Sequence, residues 1–312
     1  TMKKISIIIP FFNEDEGVQH FFAELNAELI KIKEYSFELV LVDDGSVDQT
    51  LRCLKDLDIG ELMDATIIEL SRNFGKEAAL TAGIHHFTGD AAIFMDSDLE
   101  HPPKTIKIML DKWEEGYDVI LGKRMSRENE TILKRFGFNI FYWIYNKISQ
   151  FKNYPGVGEF RLMNRASVDA LKQLDENQRF MRGLMSWVGF KEAIVEFEPI
   201  TRERGHSKFS YFKLLSYGLN GITSFSIAPL RLSIFLGIFS ATGAVLYSLY
   251  LLWEFVFYGV DVSGFPTLLL ITVFFGSINL IVLGIIGDYI GKIFLESKRR
   301  PSFVVREIYK LK

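Results

Sequence analysis

The sequence predicts an α/β domain with a mostly parallel sheet and helices on both faces, followed by interfacial helices and two transmembrane helices. Short apolar runs that fit buried strands alternate with helical patterns along the first half of the chain, as in parallel sheets whose strands are joined by helices. Acidic residues follow several of these runs, at the edge where such sheets bind ligands. Two charge-free stretches in the second half are each long enough to cross a bilayer.

Composition restricts the functional classes. The chain has 312 residues and a net charge of −3, which argues against nucleic acid as a partner. Hydrophobic residues make up 48% of the chain, a high share for a soluble protein. The single cysteine, Cys53, excludes a disulfide within the chain and fits a reducing compartment.

The strands and helices of the first half follow one another in a regular order. Each predicted strand is an apolar run, and each predicted helix carries apolar residues at helical spacing. The strands are predicted over 4–10, 37–42, 65–70, 91–95 and 118–122, and the helices over 14–32, 50–57, 77–87 and 103–115. A helix over 177–189 and an edge strand over 195–201 complete a domain that we bound at 1–208.

The strongest chemical signal lies where the fourth strand ends, at Asp96-Ser97-Asp98. Alternation along a strand lets Asp96 and Asp98 point the same way. Two carboxylates there suit Mg²⁺ or Mn²⁺ carrying phosphate oxygens. The alternative is a plain strand-to-helix turn in which an aspartate only caps the next helix.

Two other strand ends carry polar side chains, and they favour a ligand site over a plain turn. Asn13 and Glu14 follow the first strand, and Asp43 and Asp44 follow the second. Neither Gly-x-Gly-x-x-Gly after the first strand nor a P-loop lysine motif occurs, which argues against a dinucleotide or P-loop site. The predicted ligand is a nucleotide whose diphosphate is held through a metal ion.

Two segments between the strands and the membrane stretches carry clustered cations. Residues 126–150 interleave basic and aromatic side chains, which favours a membrane surface; single-stranded nucleic acid and a packing helix with a solvated face are the alternatives. The loop 201–208 is charged and contains glycine, as in loops that close over anionic ligands. Its alternative is a solvent loop.

The second half reads as a membrane hairpin. An amphipathic helix over 209–223 fits the bilayer interface, and the charge-free stretches 233–253 and 265–287 fit two spans. The link between the two spans, residues 254–264, has no lysine or arginine. Basic residues lie instead before the first span and after the second: Arg231, Lys292, Lys298, Arg299 and Arg300. This asymmetry predicts that both ends lie in the cytoplasm.

The membrane half is bounded at 209–230 for the interfacial helices, 231–290 for the hairpin and 291–312 for a cytoplasmic tail. Residues 301–309 of the tail are predicted to pair as a strand with another element or another subunit. Glycines in the spans permit close helix packing and hence a homo-oligomer.

Seven short motifs follow one another along the chain. They are Ile-Pro-Phe-Phe-Asn-Glu at 9–14, Val-Asp-Asp-Gly-Ser-Val-Asp at 42–48, Arg-Asn-Phe-Gly-Lys at 72–76, Asp-Ser-Asp-Leu-Glu-His-Pro-Pro at 96–103, and the segments 159–165, 179–189 and 204–208. Together they resemble the inverting GT-A glycosyltransferases of the dolichol-phosphate mannose synthase type, which have a Rossmann-like fold. With two spans, the chain is most similar to the bacterial branch that glucosylates undecaprenyl phosphate (bactoprenol).

The resemblance implies a role for each motif. Asp96 and Asp98 would hold Mg²⁺ or Mn²⁺ and, with Arg124, form the catalytic set. It assigns the nucleotide sugar to Pro10, Phe12, Glu14, Asp43, Asp44, Lys76, Ser97, Arg202 and Lys208, and the acceptor phosphate to Arg124, Arg135, Asn139 and Arg161. Glu100 stands where this family usually has glutamine, so its role is left open.

The activity implied by the resemblance is transfer of a hexose, glucose, from UDP-glucose to the polyprenyl lipid undecaprenyl phosphate. It would be inverting and metal-dependent, would serve O-antigen and other cell-envelope polysaccharides, and would act at the cytoplasmic face of the bacterial inner membrane. The first alternative is a GDP-mannose-dependent mannosyltransferase. The others are a processive synthase, whose Gln-x-x-Arg-Trp motif the chain does not match at 178–182, and a non-catalytic nucleotide-sugar-binding scaffold.

Overall fold

The computed structural model describes residues 2–60, 63–125, 154–176, 179–199, 223, 226–259 and 264–311. The chain divides into two compact units, Thr1–Leu214 with Arg300–Lys312, and Leu215–Arg299. The predicted boundary at residue 208 lies outside the described residues, as do the basic-aromatic segment 126–150, the loop 201–208 and most of the amphipathic segment 209–223. The predicted division of the chain stays a prediction.

The described elements agree with the predicted alternation of strands and helices. The strands are β1 (Lys3–Phe11), β2 (Tyr35–Asp43), β3 (Met63–Leu70), β4 (Ala91–Phe94), β5 (Val119–Arg124), β6 (Val157–Asn164), β7 (Glu192–Phe197) and β8 (Val305–Leu311). The helices are α1 (Val18–Leu29), α2 (Thr50–Lys55), α3 (Lys76–His86), α4 (Thr105–Glu114), α5 (Arg165–Lys172), α6 (Met181–Trp187), α7 (Ala228–Tyr258) and α8 (Phe265–Ser297).

The described strands form one sheet in the order β7-β5-β6-β4-β1-β2-β3-β8. Strands β4, β1, β2 and β3 are mutually parallel, and the predicted mostly parallel α/β sheet is confirmed. The sequence analysis did not predict β6, which runs antiparallel between β4 and β5. The predicted edge strand over 195–201 is β7, which begins earlier, at Glu192.

The apolar runs are buried because helices cover the central strands. The side chains of Ile5, Ile7 and Ile9 in β1 are fully buried. On one face, Phe11 packs edge-on against Phe21 of α1, with ring centroids 6.1 Å apart. The packed core holds the carboxyl ends of β4, β1 and β2 side by side, which places the three predicted acidic strand ends next to one another.

The C-terminal strand β8 returns to the first unit and pairs antiparallel with β3 at the end of the sheet. The prediction that the tail pairs as a strand with another element is confirmed. Its register joins Ile68 to Ile308 and Glu69 to Glu307. The added strand covers the β3 edge, which would otherwise present unpaired backbone groups.

The second unit contains two long apolar helices. Helix α7 spans 31 residues and α8 spans 33 residues; their apolar portions, Ala228–Tyr258 and Ile271–Ser297, have mean hydropathies of 1.8 and 1.9. Hardly any of these side chains are buried within the described chain. Length and composition therefore allow both helices to cross a membrane.

A buried glutamate ties the amino-terminal ends of the strands together. Glu38 of β2 accepts hydrogen bonds from the Ser6 hydroxyl and from the Thr88 N–H, the latter at 2.6 Å, and pairs with Lys4 Nζ at 2.8 Å. Burial alone would raise the pKa of Glu38, but the hydrogen bonds from Lys4, Ser6 and Thr88 outweigh it and lower the pKa below 4.5. The carboxylate form therefore stabilises the fold.

Replacing Glu38 with glutamine is expected to destabilise the protein by about 1–3 kcal/mol at pH 7, because buried donors lose a charged acceptor. The depressed pKa means that this stabilisation is present above about pH 4.5 and is lost as the pH falls through the folded-state value. Thermal unfolding at pH 7 and pH 3 measures it. Glu115→Gln, which removes an exposed partner of Lys112, should change little. An equal Glu38→Gln effect at both pH values would contradict the assignment.

Candidate active site

A cavity of about 640 Å³ opens at the carboxyl ends of β1, β2 and β4 in the first unit. Its size is that of pockets that hold nucleotide-sized ligands. The lining residues are Pro10, Phe11, Phe12, Glu14, Asp44, Asn73, Gly75, Lys76, Asp96, Ser97, Asp98, Glu100, His101, Gly122, Arg124, Gly156, Val157, Gly158, Glu159, Phe160, Arg182 and Phe197. Acidic and basic side chains thus face the same space.

The Asp96–Asp98 turn is held in shape by its neighbours. The Asp96 N–H donates to His101 Nδ1 at 3.1 Å, and the His101 ring stacks on Phe160 with centroids 4.6 Å apart. Burial lowers the pKa of His101, which favours the neutral ring that this acceptor role needs. Asp98 Oδ1 accepts from the Glu100 N–H at 3.0 Å. Both carboxylates line the cavity as the sequence predicts.

Lys76 lies between two carboxylates at the start of α3. Its Nζ is 2.6 Å from Asp96 Oδ1 and also pairs with Glu159 of β6. Burial alone would lower the pKa of Lys76, but the charges of Asp96 and Glu159 outweigh it and raise the pKa. The ammonium group is therefore a fixed cation inside the cavity, in contact with one of the two predicted metal ligands.

Asp44 holds the loop that follows β3. Its Oδ1 accepts from the Phe74 N–H at 2.7 Å and its Oδ2 from the Gly75 N–H at 2.9 Å. Burial raises the pKa of Asp44 despite these hydrogen bonds. We call the part of the cavity lined by Asp44, Asn73 and Gly75 the Asp44 end.

Glu100 and Arg124 form an ion pair on the cavity wall. Glu100 Oε2 is 3.2 Å from Arg124 Nη1, and both side chains line the cavity. This contact gives Glu100, whose role the sequence left open, a defined neighbour. Glu100 therefore pairs with the cation to which the family resemblance assigns roles in catalysis and in binding the acceptor phosphate.

A buried cationic group lies behind the β6 wall of the cavity. Arg161 is fully buried, and burial lowers its pKa to about 10. Its Nη2 donates to the Gly158 carbonyl at 2.7 Å, whereas its Nε and Nη1 meet no acceptor among the described residues. Burial alone would raise the pKa of Glu159, but Lys76, Arg182 and Arg161 outweigh it and lower the pKa. Glu159 therefore stays ionised among these cations.

The structure brings most of the predicted site residues together and places two of them beneath the cavity wall. Those that line the cavity are Pro10, Phe12, Glu14, Asp44, Lys76, Asp96, Ser97, Asp98 and Arg124. Asp43 and Arg161 are buried and do not line it. Arg135, Asn139, Arg202 and Lys208 lie outside the described residues.

Three cavity residues were given no role by the sequence analysis, although each lies in a quoted motif. Glu159 pairs with Lys76, His101 accepts from the Asp96 backbone, and Arg182 lines the cavity opposite Gly158. A signal was available for Glu159 alone, which is one of two charged side chains in the stretch 157–163, since charges buried in a strand are rare unless paired.

Comparisons with known proteins extend over nearly the whole chain. Residues 6–172 match the family described as glycosyl transferase family 2. An uncharacterised glycosyltransferase from Synechocystis sp. is 41% identical over 308 residues, covering 99% of this chain and 96% of its own. A prophage bactoprenol glucosyl transferase homolog from Escherichia coli K12 is 40% identical, covering 98% and 100%. The bactoprenol glucosyl transferase of Shigella phage SfV is 41% identical, covering 97% and 98%.

Proposed function

The chain belongs to glycosyl transferase family 2, and from that premise we propose that it transfers one glucose from UDP-glucose to undecaprenyl phosphate with inversion at the anomeric carbon. Relatives named bactoprenol glucosyl transferases are about 40% identical over at least 97% of this chain. This length of similarity includes both units, so it supports the lipid acceptor as well as the sugar donor.

The observation that carries the proposal is the charge arrangement of the cavity. Asp96 and Asp98 lie at one strand end, while Lys76 and Arg124 line the same space. A nucleoside diphosphate carries several negative charges, and fixed cations beside it stabilise the charge that develops on a leaving diphosphate. The carboxylates alone would repel such a ligand, so they need a cation between them and the phosphates.

The donor set at Asp96 and Asp98 fits a divalent metal ion. Both side chains offer hard oxygen atoms, and Mg²⁺ sites commonly use one or two carboxylates together with substrate phosphates. The described residues contain no group of three or more histidine, cysteine or acidic side chains arranged to hold a metal, so the proposed ion would take its remaining ligands from the diphosphate and water. When bound, Mg²⁺ or Mn²⁺ would neutralise charge on the departing nucleoside diphosphate.

The transfer step follows from the charges of the two reactants. An oxygen of the acceptor phosphate forms the new bond to C1 of the sugar as the bond from C1 to UDP breaks, and the electron pair leaves with UDP. Attack opposite the leaving group inverts the anomeric centre. Because the acceptor phosphate is already ionised near neutral pH, cations such as Arg124 position it, and no strong general base is required.

The membrane assignment rests on α7 and α8. Both are long and apolar enough to span a bilayer, and the flanking Arg231, Lys298, Arg299 and Arg300 favour a cytoplasmic location for both ends of the pair. We place the cavity on the cytoplasmic side of the bacterial inner membrane, because nucleotide sugars are made in the cytoplasm.

Incubation of the full chain in detergent with undecaprenyl phosphate and radiolabelled nucleotide sugars tests this proposal. We expect label from UDP-glucose to enter the lipid fraction at one sugar per lipid, and only with Mg²⁺ or Mn²⁺ present. Label from GDP-mannose would identify the mannosyltransferase instead, and a polymer would identify a processive synthase. Binding of UDP-glucose without any product would point to a non-catalytic scaffold.

The Glu100–Arg124 ion pair gives a prediction about the acceptor. Glu100→Gln is expected to lower the KM for polyprenyl phosphate by about two- to fivefold, since a half-exposed ion pair competes only modestly with phosphate for the guanidinium. Initial rates at varied lipid concentration measure it. Glu196→Gln, which removes the partner of the adjacent Lys123 at 2.7 Å, is the matched control and should leave this KM unchanged. A higher KM in Glu100→Gln would reverse the assigned role.

A further inference from the structure

The segment that enters β8 makes specific contacts with residues beside the Asp44 end. Arg306 Nη1 is 2.9 Å from Glu69 Oε1, and its Nη2 donates to the Ser71 carbonyl at 3.1 Å. The Val304 carbonyl accepts from the Ser71 N–H at 2.9 Å. The C-terminal segment thus binds Glu69 through an ion pair and Ser71 through two hydrogen bonds.

Glu69 is a buried carboxylate, although it lies on β3 next to the last strand of the sheet. Its side chain is 8% exposed, and its Oε2 accepts from the Tyr309 hydroxyl at 2.8 Å. The same hydroxyl lies 2.7 Å from Glu307 Oε2 and carries only one proton to share, so Arg306 is the cationic partner that Glu69 has in the C-terminal strand. A buried carboxylate that loses its cationic partner is destabilised. Loss of Arg306 is therefore expected to displace the Glu69 side chain from its buried position.

The chain that Arg306 holds at Ser71 runs directly into the cavity wall. Asn73 and Gly75 line the cavity, and the Phe74 and Gly75 N–H groups hold the Asp44 carboxylate. The two loops also touch through their backbones, because a Cβ on Gly45 would lie 2.3 Å from the Arg72 carbonyl carbon. A displacement of Ser71 is thus passed to Asp44 by hydrogen bonds and by contact.

A second route runs through the sheet register. Glu69 is paired with Asp43 across β2 and β3, and Asp43 Oδ2 accepts from the Ser46 N–H at 3.2 Å. Burial raises the pKa of Asp43, and the charge of Glu69 adds to this. Without Arg306, the uncompensated Glu69 charge would act on the strand end that carries Asp44.

We propose that Arg306, in the C-terminal strand, is a positioning residue for nucleotide binding: by holding Glu69 and Ser71 it sets the geometry of the Asp44 end. The proposal rests on the proposed function, which makes a nucleoside diphosphate the ligand of this cavity. It also means that the segment following α8 in the chain takes part in building the donor site, and not only in closing the sheet edge.

The test is UDP binding to the full chain in detergent with Mn²⁺, measured by calorimetry, together with initial rates. Arg306→Gln is expected to weaken UDP binding by about three- to tenfold, the effect of losing partly exposed charged hydrogen bonds. The KM for the nucleotide sugar should rise by the same factor, whereas kcat and the KM for the lipid acceptor stay within about twofold, because Arg306 holds Glu69 and Ser71 beside the Asp44 end and the proposed catalytic residues lie at the ends of β4 and β5. Lys310→Gln removes a charge from an exposed position on the same strand and should bind UDP like the wild type.

Two further variants separate positioning from a general loss of stability. Arg306→Lys keeps the charge beside Glu69 but cannot reproduce the forked contact, so its affinity should lie between those of the wild type and Arg306→Gln. In a Glu69→Gln background, Arg306→Gln should have a smaller effect, because its charged partner is already absent.

The outcomes are distinct. A lower unfolding temperature in Arg306→Gln with unchanged UDP affinity would make the residue merely structural and overturn the inference alone. Equal losses in Arg306→Gln and Lys310→Gln would overturn it as well, since net charge would then be the cause. Failure of the wild-type protein to bind UDP would overturn the proposed function and this inference together.

Discussion

Replacing Asp96 with asparagine is expected to lower the rate of sugar transfer by at least about a hundredfold, the usual cost of losing one preorganised charge-stabilising group. The variant keeps a side chain of similar size but removes one of two carboxylate charges from the cavity. It also removes one of the two carboxylates that pair with Lys76, so that Glu159 keeps the ammonium group in place. Asp98→Asn should have a comparable effect, because both carboxylates belong to the same donor set.

The measurement combines initial rates with Mn²⁺ binding in the presence of UDP. Both variants should lose Mn²⁺ affinity as well as turnover, which a defect limited to the acceptor would not produce. Asp111→Asn on α4 removes an exposed carboxylate that pairs with Lys107 at 2.7 Å, and it should behave like the wild type. Near-wild-type turnover of Asp96→Asn and Asp98→Asn with metal present would remove the basis of the proposed mechanism.

Local sequence pattern predicted the central strands because their burial requires continuous apolar runs. Residues such as Ile7, Ile9 and Leu41 are fully buried, and a run of that kind has few alternatives to a covered parallel strand. Strand ends follow from the same pattern, so the neighbourhood of Asp44, Asp96 and Asp98 could be predicted before any coordinates. These positions need only the order of elements and the rule that parallel strands end at a common edge.

Strand β6 could not be predicted from the same pattern, because it carries Glu159 and Arg161 where an apolar strand is expected. The described partner of Glu159 is distant in sequence, and that of Arg161 is a backbone carbonyl of the same strand. Lys76 of α3 meets Glu159, and the Gly158 carbonyl accepts from Arg161. Local sequence rules assign charged, glycine-rich stretches to loops. They cannot predict an ion pair with a residue that is distant in sequence.

The grouping of Lys76, Asp96 and Glu159 has the same origin. The three residues come from the start of α3, the end of β4 and the antiparallel β6, so no spacing in the sequence relates them.

The partner of the C-terminal strand is likewise set by tertiary structure. A strand in the tail was predicted over residues 301–309, whereas its observed bounds, Val305–Leu311, and its pairing with β3 depend on which sheet edge the rest of the fold leaves open.

Replacing Gly45 with alanine is expected to destabilise the first unit strongly, because two separate costs add at this position. Gly45 has φ of +66°, a left-handed conformation that costs other residues about 1–2 kcal/mol. The added Cβ would also lie 2.3 Å from the Arg72 carbonyl carbon and 2.6 Å from the Asn73 nitrogen. Both are backbone atoms that cannot rotate away, and relieving such overpacking costs about 1–3 kcal/mol more.

Gly60 supplies the control that separates the two contributions. It has the same φ of +66°, but among the described residues, apart from Gly60 and its chain neighbours, no heavy atom lies within 4 Å of the position its Cβ would take. Gly60→Ala should therefore report only the cost of the backbone conformation, and the further loss in Gly45→Ala should report the clash. Thermal unfolding of the two variants measures this difference. Because the clash forces residues 72–73 away from Asp44, Gly45→Ala should also weaken UDP binding at temperatures where the protein is folded, whereas Gly60→Ala should not. Equal destabilisation of the two variants, with UDP binding intact in both, would show that the close approach of these loops does not shape the donor site.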